Sequence, residues 1–119
     1  EQGYVFIVDR AKDMIISGGE NIYSTQVEAA IHQHSAVLES AVFGVPDEVW
    51  GEAVKAVVVL KPGQAATEAE IIGEASKHLA SYQKPKSVDF VEALPKAPTG
   101  KILKRELRDP YWQTESRKV

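Results

Sequence analysis

The stretch Ala53-Val54-Lys55-Ala56-Val57-Val58-Val59-Leu60 decides the fold of this 119-residue chain. Its β-branched composition predicts a long strand. Four apolar side chains share one face of that strand: Val54, Ala56, Val58 and Leu60. Residues 37–45 before it and 87–91 after it are also rich in β-formers. We therefore expect a small sheet of about three strands at the centre of the chain.

Two amphipathic helices are predicted beside this sheet, over residues 24–34 and 67–80. Apolar or partly apolar side chains recur at helical spacing in both segments: Val27, Ala30, Ile31 and His34 in the first, and Ile71, Ile72, Ala75 and Leu79 in the second. Each segment opens with the spacing of a capping box, in the pairs Thr25/Glu28 and Thr67/Glu70. Both helices are expected to cover the sheet.

The ends of the chain complete the predicted fold. Residues 4–9 and 13–17 are two short β-type runs that predict a hairpin, followed by a flexible loop over 18–21. Residues 102–107 have helical spacing, and the tail 109–119, which is polar apart from Tyr111 and Trp112, is expected to fray. The predicted class is α+β: a small mixed sheet of about three strands with packed helices, preceded by a β-hairpin.

Composition restricts the function. The length fits one domain, and the formal net charge of −3 gives no electrostatic basis for binding nucleic acid or an anionic membrane. Cysteine is absent, which excludes thiol nucleophiles and cysteine-based metal sites. No apolar run approaches the roughly 20 residues of a membrane span, and no signal-peptide pattern is present. We expect a cytoplasmic protein without a membrane span.

The segment Leu94-Pro95-Lys96-Ala97-Pro98-Thr99-Gly100-Lys101 is the strongest candidate for chemistry. Its two prolines stiffen the loop, and a lysine follows directly after Gly100. A compact cation in a defined place suits a phosphate or a developing oxyanion. From the residues alone, a connector with a solvated lysine remains open. The segment is not a phosphate loop of the Walker type, because Ile102 stands where Ser or Thr is required.

Several motifs in order resemble the C-terminal domain of the adenylate-forming superfamily, most closely acyl-CoA synthetases of the fatty-acid type. The superfamily also includes luciferase-like enzymes and peptide-synthetase adenylation domains. The motifs that carry the resemblance are Asp9-Arg10-Ala11-Lys12-Asp13-Met14-Ile15-Ile16-Ser17-Gly18-Gly19-Glu20-Asn21-Ile22-Tyr23, Val45-Pro46-Asp47, Trp50-Gly51-Glu52, Tyr82-Gln83-Lys84-Pro85-Lys86 and Pro95-Lys96-Ala97-Pro98-Thr99-Gly100-Lys101-Ile102.

The resemblance implies roles for three cationic side chains. Lys101 would be the catalytic lysine that stabilises negative charge while an acyl-adenylate forms. Lys12 would be the hinge about which the domain swings between two poses, although an exposed turn lysine is the alternative. Arg10 would lie near the nucleotide ribose, although ion pairing with Asp9 or Asp13 would also explain it.

The resemblance also implies a surface that binds coenzyme A (CoA) and its pantetheine arm. Seven residues belong to it: Gly18, Gly19, Glu20, Trp50, Tyr82, Lys84 and Lys86. An indole can stack on adenine and lysines can meet phosphates. An ordinary loop, a partly buried tryptophan and a solvated basic turn are the corresponding alternatives. No metal site is expected, because His32 and His34 point to opposite sides of a helix.

By the same resemblance, the chain at 1–119 would be the mobile C-terminal domain of an ATP-dependent acyl-CoA synthetase, with a hinge hairpin at 1–17 and the frayed tail at 109–119. Its opening inside a predicted strand suggests a piece of a longer protein. ATP, CoA and Mg²⁺ would act through the full-length enzyme, with a carboxylic, expectedly fatty, acid as substrate. The N-terminal ATP- and acyl-binding domain, absent from this sequence, would be its partner. A stand-alone regulatory or protein-binding module, and a luciferase-like or carrier-protein-loading enzyme, remain as alternatives.

Overall fold

The computed structural model describes residues 14–118, which form two sheets and three α-helices. The strands are β1 (Met14–Ser17), β2 (Glu20–Tyr23), β3 (Val37–Asp47), β4 (Gly51–Leu60) and β5 (Ser87–Phe90). The helices are α1 (Ser24–Ile31), α2 (Glu68–Ser76) and α3 (Lys104–Lys118), with a 3₁₀ turn at Ser81–Gln83. Within this range, no helix combines the length and the apolar character that crossing a bilayer requires.

The larger sheet has the strand order β3-β4-β5. Strands β3 and β4 are antiparallel from the pair Val37↔Leu60 to the pair Asp47↔Gly51, with one irregularity after Val37. Strand β5 is parallel to β4, and the connection between them carries α2, as a parallel pair requires. The predicted mixed three-strand sheet, and with it the α+β class, is confirmed.

Both faces of β4 are buried, whereas the sequence predicted one inward face. The first core joins the predicted face of β4 to the hairpin and to helices α1 and α2, through Ile15, Ile22, Val27, Ile31, Val54, Val58 and Ile71 among others. The second core lies on the opposite face and contains Ala41, Phe43, Val57, Val59 and Leu94. The second face is covered because the segment after β5 folds back over the sheet together with α3.

The hairpin that the structure describes differs from the predicted one. Strand β1 pairs with β2, with Ile15 opposite Ile22 and both side chains fully buried. Gly18 and Gly19 form the two-residue turn between them, with φ of 59° and 84°. The prediction of a flexible loop over 18–21 is therefore wrong, because a Gly-Gly turn lets the two apolar strands pair. The predicted strand at 4–9, Arg10 and Lys12 lie outside the described residues.

The helices agree with the predicted faces but not with every predicted cap. In α1, Val27, Ala30 and Ile31 are buried as expected, and the helix ends at Ile31 instead of residue 34. Thr67 and Glu70 form the predicted capping box of α2, with bonds of 3.1 and 2.8 Å. The predicted box of Thr25 and Glu28 does not form. Helix α1 has no side-chain cap, and the Glu28 carboxylate instead accepts the backbone N–H of Val42 on β3.

Helix α3 continues to Lys118, through the segment from Asp109 for which we predicted fraying. Two aromatic side chains fasten it to the sheet. The Trp112 indole N–H donates to the carbonyl oxygen of Gly44 at 2.9 Å, and the Tyr111 hydroxyl donates to the Asp89 carboxylate at 3.2 Å. These contacts provide a reason for helical order in a segment whose composition is mostly polar.

Candidate functional site

The loop before α3 is a small hairpin that presents Lys101. The N–H of Gly100 donates to the Ala97 carbonyl, and the N–H of Ala97 donates to the Lys101 carbonyl, both at 2.8 Å. Gly100 has a φ of 91°, which lets the turn close through a left-handed residue. Lys101 therefore lies directly after a tight turn and is exposed to solvent.

The two stems of this loop are fastened to the rest of the domain. The backbone of Lys96 forms an antiparallel β-bridge with Ile102 across the loop. The side chain of Lys96 forms an ion pair with Glu39 on β3. The Leu103 N–H donates to the Pro95 carbonyl at 2.8 Å. The preceding Leu94 is buried in the second core. The position of Lys101 is thus determined by contacts on both sides of the turn.

The glycine turn of the β1–β2 hairpin contacts Trp50. The Gly18 N–H donates to the Trp50 carbonyl at 2.8 Å, and a Cβ on Gly18 would lie 2.7 Å from Cε3 of the indole. The Trp50 ring is half-exposed, and the Lys86 ammonium lies 5.6 Å from its centroid, at cation–π distance. Three of the predicted CoA-site residues, Gly18, Trp50 and Lys86, are therefore brought together. We call these three residues the glycine–tryptophan cluster.

Two carboxylates hold this glycine–tryptophan cluster in place. Asp47 accepts the N–H groups of Val49 and Trp50, each at 2.9 Å, and so shapes the turn between β3 and β4. Glu52 accepts the N–H of Ile16 at 3.2 Å and ties the first hairpin to β4. The side chain of Glu52 lies against Gly44, where a Cβ would clash with the carboxylate. Both carboxylates belong to the motifs Val45-Pro46-Asp47 and Trp50-Gly51-Glu52, but nothing in the sequence indicates these contacts.

The other residues predicted to bind CoA do not contact the glycine–tryptophan cluster through a side-chain hydrogen bond or a ring contact in the described part of the chain. Gly19 and Glu20 are exposed at the tip of the first hairpin. Tyr82 is half-exposed in the 3₁₀ turn, and Lys84 ends that turn. Within residues 14–118, no described hydrogen bond or ring contact joins Tyr82 or Lys84 to Trp50. Arg10 and Lys12 lie outside the described residues.

The Lys101 loop and the glycine–tryptophan cluster lie at opposite ends of the β3–β4 ladder. The loop is attached at Glu39, near the pair of Val37 with Leu60, whereas Trp50 lies in the turn after Asp47. From Glu39 to Asp47 the strand advances eight residues, which corresponds to about 26 Å. The two candidate sites are therefore too far apart to act on one reacting atom at the same time.

Lys55 is a buried cation for which the sequence predicts no structural role. The Lys55 ammonium lies 2.8 Å from Asp89 and 5.3 Å from the centroid of the Tyr111 ring, with a side chain 10% exposed. Burial lowers the pKa of Lys55, but the hydrogen bond to Asp89 and the favourable interactions with Tyr111 and Asp89 outweigh this effect, so the pKa of Lys55 is raised above 10.5. This group joins β4, β5 and α3.

Metal ligands are not gathered in the part of the chain that the structure describes. Among residues 14–118, no three His, Asp or Glu side chains lie close enough to hold a metal ion. The Nδ1 atom of His34 accepts the N–H of Ala36 at 3.1 Å, which gives that ring a local role in the turn after α1.

The sequence places this small α+β domain in a known family. Residues 26–101 match the family described as the AMP-binding enzyme C-terminal domain. This chain belongs to that family.

Similar proteins span a range of acid ligases. A fatty acid–[acyl-carrier-protein] ligase of Streptomyces coeruleorubidus is 45% identical over 100% of this chain and 23% of its own length. A long-chain-fatty-acid–CoA ligase of Mycobacterium tuberculosis is 48% identical over 96% of this chain and 22% of its own length. The chain thus spans less than a quarter of the length of these curated relatives.

Solved structures show the same fold. A Mycobacterium tuberculosis fatty acyl CoA synthetase superposes with a TM-score of 0.79 at 48% identity, over 87% of this chain and 20% of that one. ATP-bound MatB from Rhodopseudomonas palustris superposes with a TM-score of 0.81 at 40% identity, over 85% and 20%. The similarity is in each case to a small part of a larger protein.

Proposed function

We propose that this chain is the mobile C-terminal domain of an ATP-dependent acyl-CoA synthetase. The full enzyme converts a carboxylic acid, ATP and CoA into acyl-CoA, AMP and pyrophosphate. The carboxylate first attacks the α-phosphate and releases pyrophosphate, and the CoA thiol then attacks the acyl carbon and releases AMP. Family membership and the fatty acid ligases among the relatives support this assignment.

Lys101 supplies the positive charge for the first step. Its ammonium stabilises the negative charge that develops between the acid and the α-phosphate, which is a large effect when the donor is held in place before reaction. Closure of the hairpin around Ala97 and Gly100 supports this role, since it restricts where the lysine is presented. ATP and its Mg²⁺ are held by the N-terminal domain, which lies outside this sequence.

The glycine–tryptophan cluster serves the second step. The absence of a side chain at Gly19, where nothing lies within 4 Å, lets a thin pantetheine arm approach the backbone, and the absence of one at Gly18 makes room for the Trp50 ring. Trp50 stacks on the adenine of CoA, and Lys84 and Lys86 meet its phosphates, with Tyr82 and Glu20 at the edges of the surface. The half-exposed indole beside the Lys86 ammonium supports this assignment.

The observation that carries the proposal is the separation of about 26 Å between Glu39, where the Lys101 loop is attached, and Asp47, beside the turn that holds Trp50. Two steps at one reaction centre then require the domain to turn and present first one end and then the other. Lys12 acts as the hinge for this rotation, and Arg10 lies near the nucleotide ribose.

The test uses the full-length enzyme and measures each half-reaction separately. Lys101→Ala should lower pyrophosphate release from ATP and acid by about 100-fold or more, the effect expected for losing a preorganised donor. It should leave thioester formation from supplied acyl-adenylate near the wild-type rate. Lys61→Ala, an exposed lysine in the turn after β4, is the matched control. Full adenylation activity in Lys101→Ala would refute the proposal.

A carrier-protein-loading ligase is the second candidate, because the relative from Streptomyces matches the whole chain. Both acceptors end in pantetheine, but free CoA also carries an adenine nucleotide. Trp50→Ala should therefore raise KM for CoA if CoA is the acceptor. An unchanged KM for CoA, together with transfer to a carrier protein, would favour the second candidate.

A simpler measurement tests whether adenylation depends on the N-terminal domain. The N-terminal domain is the required partner in our proposal, so the purified 119-residue chain should form no acyl-adenylate. Acyl-adenylate formation by the isolated chain would contradict the division of labour.

A further inference from the structure

Lys104 begins helix α3 and reaches back to helix α1. Its ammonium lies 2.7 Å from Oε2 of Glu28 and 3.0 Å from the hydroxyl of Ser24. The same Glu28 oxygen accepts the N–H of Val42 on β3 at 2.9 Å. The side chains of Lys104 and Glu28 are 23% and 19% exposed, and Ser24 is fully buried. This pair is thus better shielded from water and salt than a surface ion pair.

The pair is directly coupled to Lys101 along the chain. Lys104 lies three positions after Lys101, so their Cα atoms are at most about 10 Å apart. Ile102 in this segment is bridged to Lys96, and the Leu103 N–H is bonded to Pro95. A shift at the start of α3 is therefore transmitted to the turn that presents Lys101.

Two carboxylates hold the lysines on either side of the Lys101 turn. Lys96 before the turn is paired with Glu39, and Lys104 after it is paired with Glu28. Both sides of the turn are therefore attached to the body of the domain, and Lys101 between them is exposed.

We propose that Glu28, acting through Lys104, is a positioning residue that sets where Lys101 is presented. This rests on the proposed role of Lys101 in adenylation. Breaking the pair leaves the Lys101 charge intact but changes its position, so it lowers kcat of adenylation and spares the thioester step, which uses the other end of the ladder.

The experiment compares variants of the full-length enzyme in the two half-reactions. Lys104→Met removes the cation, and Glu28→Gln keeps an oxygen for Val42 but removes the charge. Both should lower kcat for pyrophosphate release by about 10- to 100-fold, the range expected when a reacting group is misplaced by about 1 Å. KM for ATP and the rate of thioester formation from acyl-adenylate should stay close to wild type. Lys104→Arg, which keeps the ion pair, should recover most of the activity.

Lys77→Met is the matched control, because Lys77 forms a more exposed pair with Glu74, at 3.3 Å on helix α2. Equal loss in both half-reactions, or loss that follows the folded fraction measured by circular dichroism, would overturn the inference and leave a purely structural role. Normal adenylation in Lys104→Met, with Lys101→Ala inactive, would also overturn it. Normal adenylation in Lys101→Ala would instead refute the proposed function itself.

Discussion

Lys55 on β4 and Asp89 on β5 form a diagonal ion pair, with their charged atoms 2.8 Å apart, because Lys55 lies opposite Ser87 and Asp89 lies opposite Val57. The Tyr111 hydroxyl donates to the same Asp89 oxygen, so one carboxylate joins two strands and a helix. The second core depends on this link, because it lies between the sheet and α3.

Stability should therefore depend on pH through Lys55. Its folded-state pKa is raised above 10.5, so its contribution is complete below pH 10.5 and is lost as pH rises through the raised value. Lys55→Met should cost about 2 kcal/mol of unfolding free energy at pH 7, as for a hydrogen bond to a charged group. Urea unfolding at several pH values should show this difference shrinking above pH 10.5. A constant difference up to pH 12 would contradict the assignment.

Gly18 should tolerate alanine less well than Gly63. Both have positive φ, of 59° and 76°, so alanine at either should cost about 1 kcal/mol from backbone strain. At Gly18 the new Cβ would also lie 2.7 Å from the Trp50 ring, whereas nothing lies within 4 Å at Gly63. Urea unfolding should show the larger loss for Gly18→Ala, and equal losses would mean that Trp50 moves aside freely.

The two threonines with capping-box spacing should respond differently to substitution. Thr67→Ala removes a hydroxyl that accepts the Glu70 N–H, and we expect a loss of about 1 kcal/mol. Thr25→Ala should change stability little, because α1 has no side-chain cap. Thermal unfolding of both variants provides the comparison. Similar losses in the two would show that Thr25 caps α1 after all.

Trp112→Phe should loosen α3 from the sheet. Phenylalanine retains an aromatic ring but cannot donate to the Gly44 carbonyl, which accepts the indole N–H at 2.9 Å. The expected loss is about 1 kcal/mol of unfolding free energy. Trp50→Phe, a change at a half-exposed ring in the turn after β3, is the control and should cost less. The reverse order would mean that the bond to Gly44 contributes little.

The parts of the fold that local patterns determine could be predicted from the sequence. The β-branched composition of residues 53–60 predicted β4, and the capping-box spacing of Thr67 and Glu70 predicted the start of α2. The pairing of β1 with β2 is not evident from the sequence, because two adjacent glycines are also typical of a flexible loop. The sheet is also buried on both faces, a property that depends on where distant residues fold back.

The candidate sites likewise contain local features that the sequence predicts and long-range contacts that it does not. The turn that presents Lys101 is local, and proline and glycine at fixed spacing indicate it in the sequence. The contacts of Gly18 with Trp50 and of Glu28 with Lys104 join residues far apart in the chain. The same charges and aromatic rings would suit many surface positions, so spacing alone could not predict these pairs.

The parallel pairing of β5 with β4 affects the order in which the elements fold. Strands β3 and β4 can form a hairpin as soon as both exist, whereas β5 requires the whole helical crossover, and Lys101 comes later still in the chain. Contacts between distant segments form slowly, so we expect the hairpin to nucleate folding and the C-terminal helix to dock last. Destabilising the helix contact at Trp112 should then accelerate unfolding while refolding stays nearly unchanged. The residue on which catalysis would depend is thus among the last to reach its place.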